Sequence, residues 1–246
     1  MENGKTELDI RKKVDNNIIS GFLIGSVYLG WLSDRIGRKK NIMLTLMGML
    51  LTNLVSAFTY SFSVYLVSRF IVGVFLAGNI LSAVTLLTEI VGPSYRAVYN
   101  LFLMGSFSCG IVLLSVLANY LSESWRMLTF SVSIIGLPFL LLQKYLIESP
   151  RWLLGKNGKD EAEAILIKIA QGNGFQGKLK INLNPPAAVS TSQTKESVLT
   201  LFTSPRLLPM TLILCYTWFV VSGCYYGLTL AAGHMGTDIY TGKIIN

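Results

Sequence analysis

The chain has 246 residues, 52% of them hydrophobic and only 14% charged, with a mean hydropathy of +0.53. Soluble domains carry about 25% charged residues, so the composition argues against a water-facing globule. The net charge of +8 would suit a nucleic-acid binder, but the cations gather between apolar blocks, as they do in the loops of membrane proteins.

Residues 1–16 read as a polar N-terminal tail rather than a secretory leader. Six apolar blocks follow, each read as a helix crossing a hydrocarbon core about 30 Å thick: Asn17–Ser33, Ile42–Tyr60, Val64–Thr88, Val98–Leu121, Met127–Leu146 and Leu208–Ala231. The first is the weakest, being short and glycine-containing. Helices are the economical choice, because an unpaired backbone group in lipid is expensive. Residues 17–146 thus form a five-helix membrane bundle, and 208–231 a sixth span. Between them, 147–207 is a cytoplasmic loop with short helices and a linker. Within it Lys159–Ala170 reads as an amphipathic helix, with Asp160, Glu161 and Glu163 in its first turn and Gly172 as its stop. Asn184–Lys195 has linker composition, and residues 232–246 form a tail. Cys109, Cys215 and Cys224 lie inside apolar blocks and read as small apolar residues.

Orientation follows from Lys and Arg. One alternate set of connections holds Arg35, Arg38, Lys39, Lys40, Arg96 and the cations of the long loop, whereas Ser61–Ser63 and Ser122–Ser124 hold none. The first set is expected to be cytoplasmic. Both termini then face outside. Arg11, Lys12 and Lys13 resist that placement, which points to a further span upstream.

Four motifs sit on this topology. Gly30-Trp-Leu-Ser-Asp34-Arg35-Ile-Gly37-Arg38-Lys39-Lys40 joins the first two spans. The short connection needs a tight turn, which Gly37 permits. Asp34 lies at a helix C-terminus, where the dipole disfavours an anion, so it needs a cation, Arg38 or Arg96, or a neighbouring helix N-terminus. The third block carries Arg69, which is either functional, as an arginine within a span commonly is, or snorkels from its place near the outer end; Gly73, Ala77 and Gly78 follow for close packing, and the block ends at Glu89 and Arg96. After the fifth block comes Ile147-Glu148-Ser149-Pro150-Arg151-Trp152-Leu153-Leu154. The last motif combines Lys168–Gly174 and Phe202–Arg206 with the aromatic sixth span.

These motifs, in this order, resemble the major facilitator superfamily and, within it, the organic cation/anion/carnitine transporter family. The resemblance covers about Gly21 to Tyr240, with Ile147 standing where the family has a proline. It implies an all-α membrane protein, a truncated major-facilitator-type bundle whose six spans match the second to seventh of twelve helices. It also implies a cytoplasmic gating network of Asp34, Arg35, Arg38, Glu89, Arg96, Glu148 and Arg151, with Gly30, Gly37 and Gly73 serving turns and packing. Aromatics contacting substrate would be Trp218, Tyr225 and Tyr226, with Phe107 a further candidate. Trp218 and Tyr225 are seven apart and share a helical face, while Tyr226 is turned about 100° away. The expected activity is alternating-access transport of small organic ions across a membrane, the plasma membrane by analogy. The competing expectation is a non-transporting truncated membrane protein, or a gene-model fragment, that at most associates with a complete partner; a further membrane chain supplying the missing helices is the other partner expected. His234 is the only histidine, and no phosphate loop, metal-ligand cluster or nucleophile–base pair appears. No enzyme activity, metal, cofactor or nucleic-acid partner is therefore expected.

Overall fold

The computed structural model describes residues 2–121, 124–175, 204–205 and 207–235. Among them lie eight α-helices and no strand: α1 (Glu2–Ile36), α2 (Arg38–Phe58), α3 (Phe62–Ile90), α4 (Arg96–Tyr120), α5 (Trp125–Leu142), α6 (Pro150–Gly155), α7 (Lys159–Gly172) and α8 (Leu208–Met235). The linker expected at Asn184–Lys195, Phe202 to Thr203, Arg206 and the tail beyond Met235 lie outside the described residues. Contacts divide the chain into two units, Met1–Gly110 with Tyr120–Leu183, and Ile111–Asn119 with Asn184–Asn246.

Five helical segments are long and apolar enough to cross a membrane: Arg38–Phe58, Phe62–Ile90, Pro93–Tyr120, Trp125–Tyr145 and Leu208–Tyr225. They coincide with five of the six expected spans. The other, Asn17–Ser33, is embedded in α1, whose helix starts at Glu2 and takes in the stretch read as a polar tail. That stretch contains no proline and is rich in Glu and Lys, which favour helix. The apolar stretch inside α1 is itself short, broken by glycines and serines and flanked by Asn16, Asn17 and Asp34, so α1 is less apolar over a membrane's thickness than the other five.

In the first unit α1 packs chiefly on α3, and α2 packs on α3 and α5. The register comes from glycine. A Cβ on Gly21 would strike the Phe70 carbonyl, one on Gly25 would lie 2.6 Å from Val74 Cα, and one on Gly78 2.6 Å from Leu29 Cβ. The contacts 21–70, 25–74 and 29–78 advance together, so α1 and α3 run parallel with their backbones nearly touching. A Cβ on Gly73 would likewise strike the Ile18 carbonyl. Where lipid supplies no hydrophobic drive between helices, such small-residue seams let dispersion do the work. The α2 contacts run the other way: Gly48 faces Phe75, and Asn41 reaches Ser82. Helix α5 opposes α2, with Gly136 against Leu50 and Phe58 edge-on to Phe130 at 6.0 Å.

Polar residues pin this core. Asn41, fully buried, donates from Nδ2 to Ser82 Oγ (2.7 Å) and to the Leu29 carbonyl (3.2 Å). Ser82 Oγ donates to Ser33 Oγ at 3.1 Å, and Asn79 Nδ2 donates to Thr45 Oγ1 at 3.2 Å. Each interhelical hydrogen bond of this kind is worth about 0.6 kcal/mol in a membrane, and the set ties α1, α2 and α3 in one rotational setting. In contrast, only 6% of the apolar window is buried in α4 and in α5, and none of it in α8. Their exposed apolar faces are suited to lipid or to further helices.

In the long connection, α7 ends at Gly172, and it is Gly174 that adopts the left-handed conformation (φ +85) expected just past a helix end.

Candidate functional site: a charge cluster where α1, α2, α3 and α6 meet

The antiparallel register brings the C-terminal ends of α1 and α3, the N-terminal end of α2 and the short α6 to one end of the first unit. Arg38 is its centre. Its side chain is only 10% exposed and grips Glu89 at the end of α3 with two bonds, Nε to Oε2 at 3.1 Å and Nη2 to Oε1 at 3.2 Å. Nη2 also pairs with Asp34 Oδ1 at 2.9 Å, one turn back across the α1–α2 junction, and Nη1 donates to the Ser33 carbonyl at 3.4 Å. The two carboxylates are not equivalent: Glu89 is 12% exposed and Asp34 72%. The bidentate bond to Glu89 therefore carries most of the energy, because an exposed pair is worth at most about 1 kcal/mol.

Glu148 does something other than pair with an arginine side chain. Its Oε1 accepts from the backbone amides of Arg38 (3.0 Å), Lys39 (3.1 Å) and Ser149 (3.0 Å). It supplies the N-terminus of α2 with the acceptor that Gly37, standing at the N-cap position without a side chain, cannot provide. Gly37 is required twice over: its φ is +103, and a Cβ there would collide with the Glu148 carboxylate and lie 3.3 Å from the Trp152 ring. On the other side of the same turn, Trp152 Nε1 donates to the Asp34 carbonyl at 2.8 Å, satisfying an orphan group at the end of α1. Helix α6 is itself well started, with Ser149 accepting from Trp152 N at 3.2 Å and Pro150 in the first turn.

Of the seven residues expected in the network, Asp34, Arg38, Glu89 and Glu148 are joined directly. Arg151 lines the same hollow, about 290 Å3, with Asp34, Arg38, Glu89, Trp152 and Lys156, and makes no ion pair among the described residues. Arg35 and Arg96 lie apart from it. Arg35 stacks over the Trp31 ring at 4.1 Å, because one position along a helix from Asp34 turns it to another face. Arg96 is exposed and donates from Nε to the Val91 carbonyl at 3.3 Å. Of the packing glycines, Gly37 and Gly73 sit in close contacts, whereas a Cβ on Gly30 would meet only Leu81 Cδ1 at 3.9 Å. Trp152 joins the site without being marked out within its motif; an indole N–H needs an acceptor, and the end of a helix offers one. The Asn41–Ser82 bond is likewise unannounced, although Asn41 and Thr45 stand four apart on one face of an apolar block.

The aromatics expected near substrate belong to other elements. Phe107 on α4 is 59% exposed, and Trp218 and Tyr225 on α8 are 70% and 52% exposed. The side chain of Tyr226 lies outside the described residues.

Parallel and antiparallel helices, most of them long and apolar enough to cross a membrane and tied at one end by an arginine held between carboxylates, make up a multi-span membrane bundle. Residues 17–233 match the family described as sugar (and other) transporter. The chain is 38% identical to human solute carrier family 22 member 13 over 92% of its own length and 41% of that protein's. It is 37% identical to the Xenopus laevis solute carrier family 22 member 15-like protein (90% and 45%), and 33% identical to the rat solute carrier family 22 member 3 (89% and 39%). Among solved structures it resembles the xylose transporter XylE from E. coli in a partially occluded inward-open conformation, with a TM-score of 0.59 at 22% identity, over 64% of this chain and 43% of that one. The chain belongs to the sugar (and other) transporter family, of the major facilitator superfamily, and spans about two fifths of the length of the curated relatives it matches.

Proposed function

We propose that the chain is the part of an alternating-access transporter that carries one gate, and that the solute moved is a small organic ion, across the plasma membrane. The observation that carries this reading is Arg38. It is nearly buried and held by Glu89 from α3 and Asp34 from α1, while Glu148, just before α6, and Trp152 within it clamp the same turn. A charge cluster joining four elements at one end favours one arrangement of those elements over any other, which is what a two-state gate needs. Similarity to three members of solute carrier family 22 supports organic-ion transport over sugar transport.

Substrate contact belongs, on this reading, to Trp218, Tyr225, Tyr226 and Phe107. Aromatic faces attract an organic cation by about 0.5–2 kcal/mol each. The helices that complete the path belong to a longer polypeptide or to a further membrane chain, and would cover the exposed faces of α4 and α8.

The test is uptake in a complete transporter containing this segment. Asp34→Asn is expected to slow turnover of a labelled organic ion far more than it reduces surface expression, since a 72% exposed carboxylate adds little to folding. Unchanged turnover at equal surface expression would sink the assignment of this cluster as a gate.

A further inference from the structure

The opposite end of the same unit holds a second cationic cluster, built differently. Arg126, in the first turn of α5, has its Cζ 4.4 Å from the Tyr60 ring centroid and 5.4 Å from that of Trp125. Trp125 meets Tyr65 of α3 edge to face at 5.2 Å, and Tyr65 in turn lies under the Arg69 guanidinium at 4.8 Å. Tyr60, Arg126, Trp125, Tyr65 and Arg69 thus form a continuous row in which rings and guanidinium groups share faces. The only hydrogen bond either arginine side chain makes among the described residues is from Arg126 Nη2 to the Thr59 carbonyl, at 3.3 Å. Nε of Arg69 and Nε of Arg126 are shut off from solvent with no acceptor, and no carboxylate of the described residues lies within ion-pair distance of either.

Arg38 offers the contrast. That arginine has two carboxylates and a carbonyl around its edge, whereas these two have aromatic rings on their faces and, among the described residues, only the Thr59 carbonyl at an edge. Cation–π stacking fixes the plane of a guanidinium without using its N–H donors. A planar fork held in this way is suited to bidentate contact with a carboxylate or phosphate. Tyr60 and Trp125, 89% and 48% exposed, supply an apolar wall beside it.

We propose that the Arg69–Arg126 row is a binding site for an oxyanion, a carboxylate or phosphate carried on an apolar body, at the membrane interface opposite the Arg38 cluster. Two sources offer that chemistry, the phosphate of a lipid headgroup and a free organic anion. The site shares no residue with the aromatics of α8 and does not depend on them.

The experiment is a thermal-melting titration of the purified chain in a neutral detergent. Three probes are compared at matched ionic strength: short-chain phosphatidylglycerol, sodium benzoate and inorganic phosphate, with sodium chloride as the blank. Saturable stabilisation by at least one probe is expected, with apparent affinity weakened about tenfold or more by Arg69→Gln, as befits loss of a charged hydrogen bond. Lys40→Gln, an exposed cation at the other end, is expected to leave it unchanged. A response to the lipid alone assigns a headgroup, and a response to benzoate or phosphate assigns a free anion. Arg126→Gln is expected to behave like Arg69→Gln. Should loss of its bond to Thr59 prevent folding, Arg69→Gln decides the matter, since the Arg69 side chain holds no hydrogen bond among the described residues. No saturable shift with any probe, a shift equalled by sodium chloride, or wild-type affinity in Arg69→Gln would overturn the proposal.

Discussion

Replacing Glu89 by Gln keeps the shape of the side chain and removes its charge, so it tests what holds Arg38 in place. Breaking a buried ion pair by neutralising one partner costs about 3–5 kcal/mol, because the other charge is left uncompensated. Here Arg38 keeps Asp34 at 2.9 Å, but Asp34 is 72% exposed and screened by solvent, so it recovers at most about 1 kcal/mol. The expected loss is therefore about 2–4 kcal/mol in the arrangement that contains the pair. If the pair exists in one transport conformer only, the same energy shifts the population of that conformer by roughly 30- to 1000-fold, at 1.4 kcal/mol per factor of ten. The measurement is a double-mutant cycle of Glu89→Gln and Arg38→Gln, read by detergent unfolding and, in a complete transporter, by uptake. Additive effects within about 0.5 kcal/mol, the spread expected of independent sites, would refute the reasoning, and so would a Glu89→Gln variant as stable as the parent.

Gly37→Ala is expected to destabilise by about 2 kcal/mol or more, since it combines a strained left-handed backbone with displacement of the Glu148 carboxylate; unfolding in detergent reads the loss. Gly92→Ala, at a position with φ of −61 and nothing within 4 Å, is expected to leave the melting temperature unchanged. A cysteine at Gly158 is expected to resist a membrane-impermeant thiol reagent in intact cells while one at Ser61 reacts, and the reverse pattern would invert the orientation read from Lys and Arg.

The spans are legible in the sequence because a block of about 20 apolar residues matches the thickness of a hydrocarbon core and exceeds what a soluble helix needs to bury. The glycine seam is half legible: Gly73 and Gly78 announce close packing, but only the folded chain pairs Gly21 with Phe70 and Gly25 with Val74. In the charge cluster, the need of Asp34 for a cation follows from its place at a helix end, and Arg38 meets it. The role of Glu148 is illegible for a physical reason. Its partners are the backbone amides of Arg38 and Lys39, and an amide at a helix terminus has no signature in residue type. Arg35 shows the converse limit. It sits inside a cationic motif beside Asp34, yet a rotation of about 100° per residue sends it to Trp31 instead. The N-terminal boundary of α1 escapes the sequence pattern because polarity marks where a helix leaves lipid and not where it unwinds.

The bond from Arg38 N to Glu148 spans 110 residues of chain. A ribosome adding about 5–20 residues per second needs roughly 5 to 20 s to cover that distance. Throughout that interval the α1–α2 hairpin has been made, and the first amides of α2 have only water to answer them. Of the turns described in this unit, the one made before the others is thus among the last to be completed. A nascent chain halted before residue 148 would carry all the glycines of the seam and still lack the carboxylate that closes the hairpin.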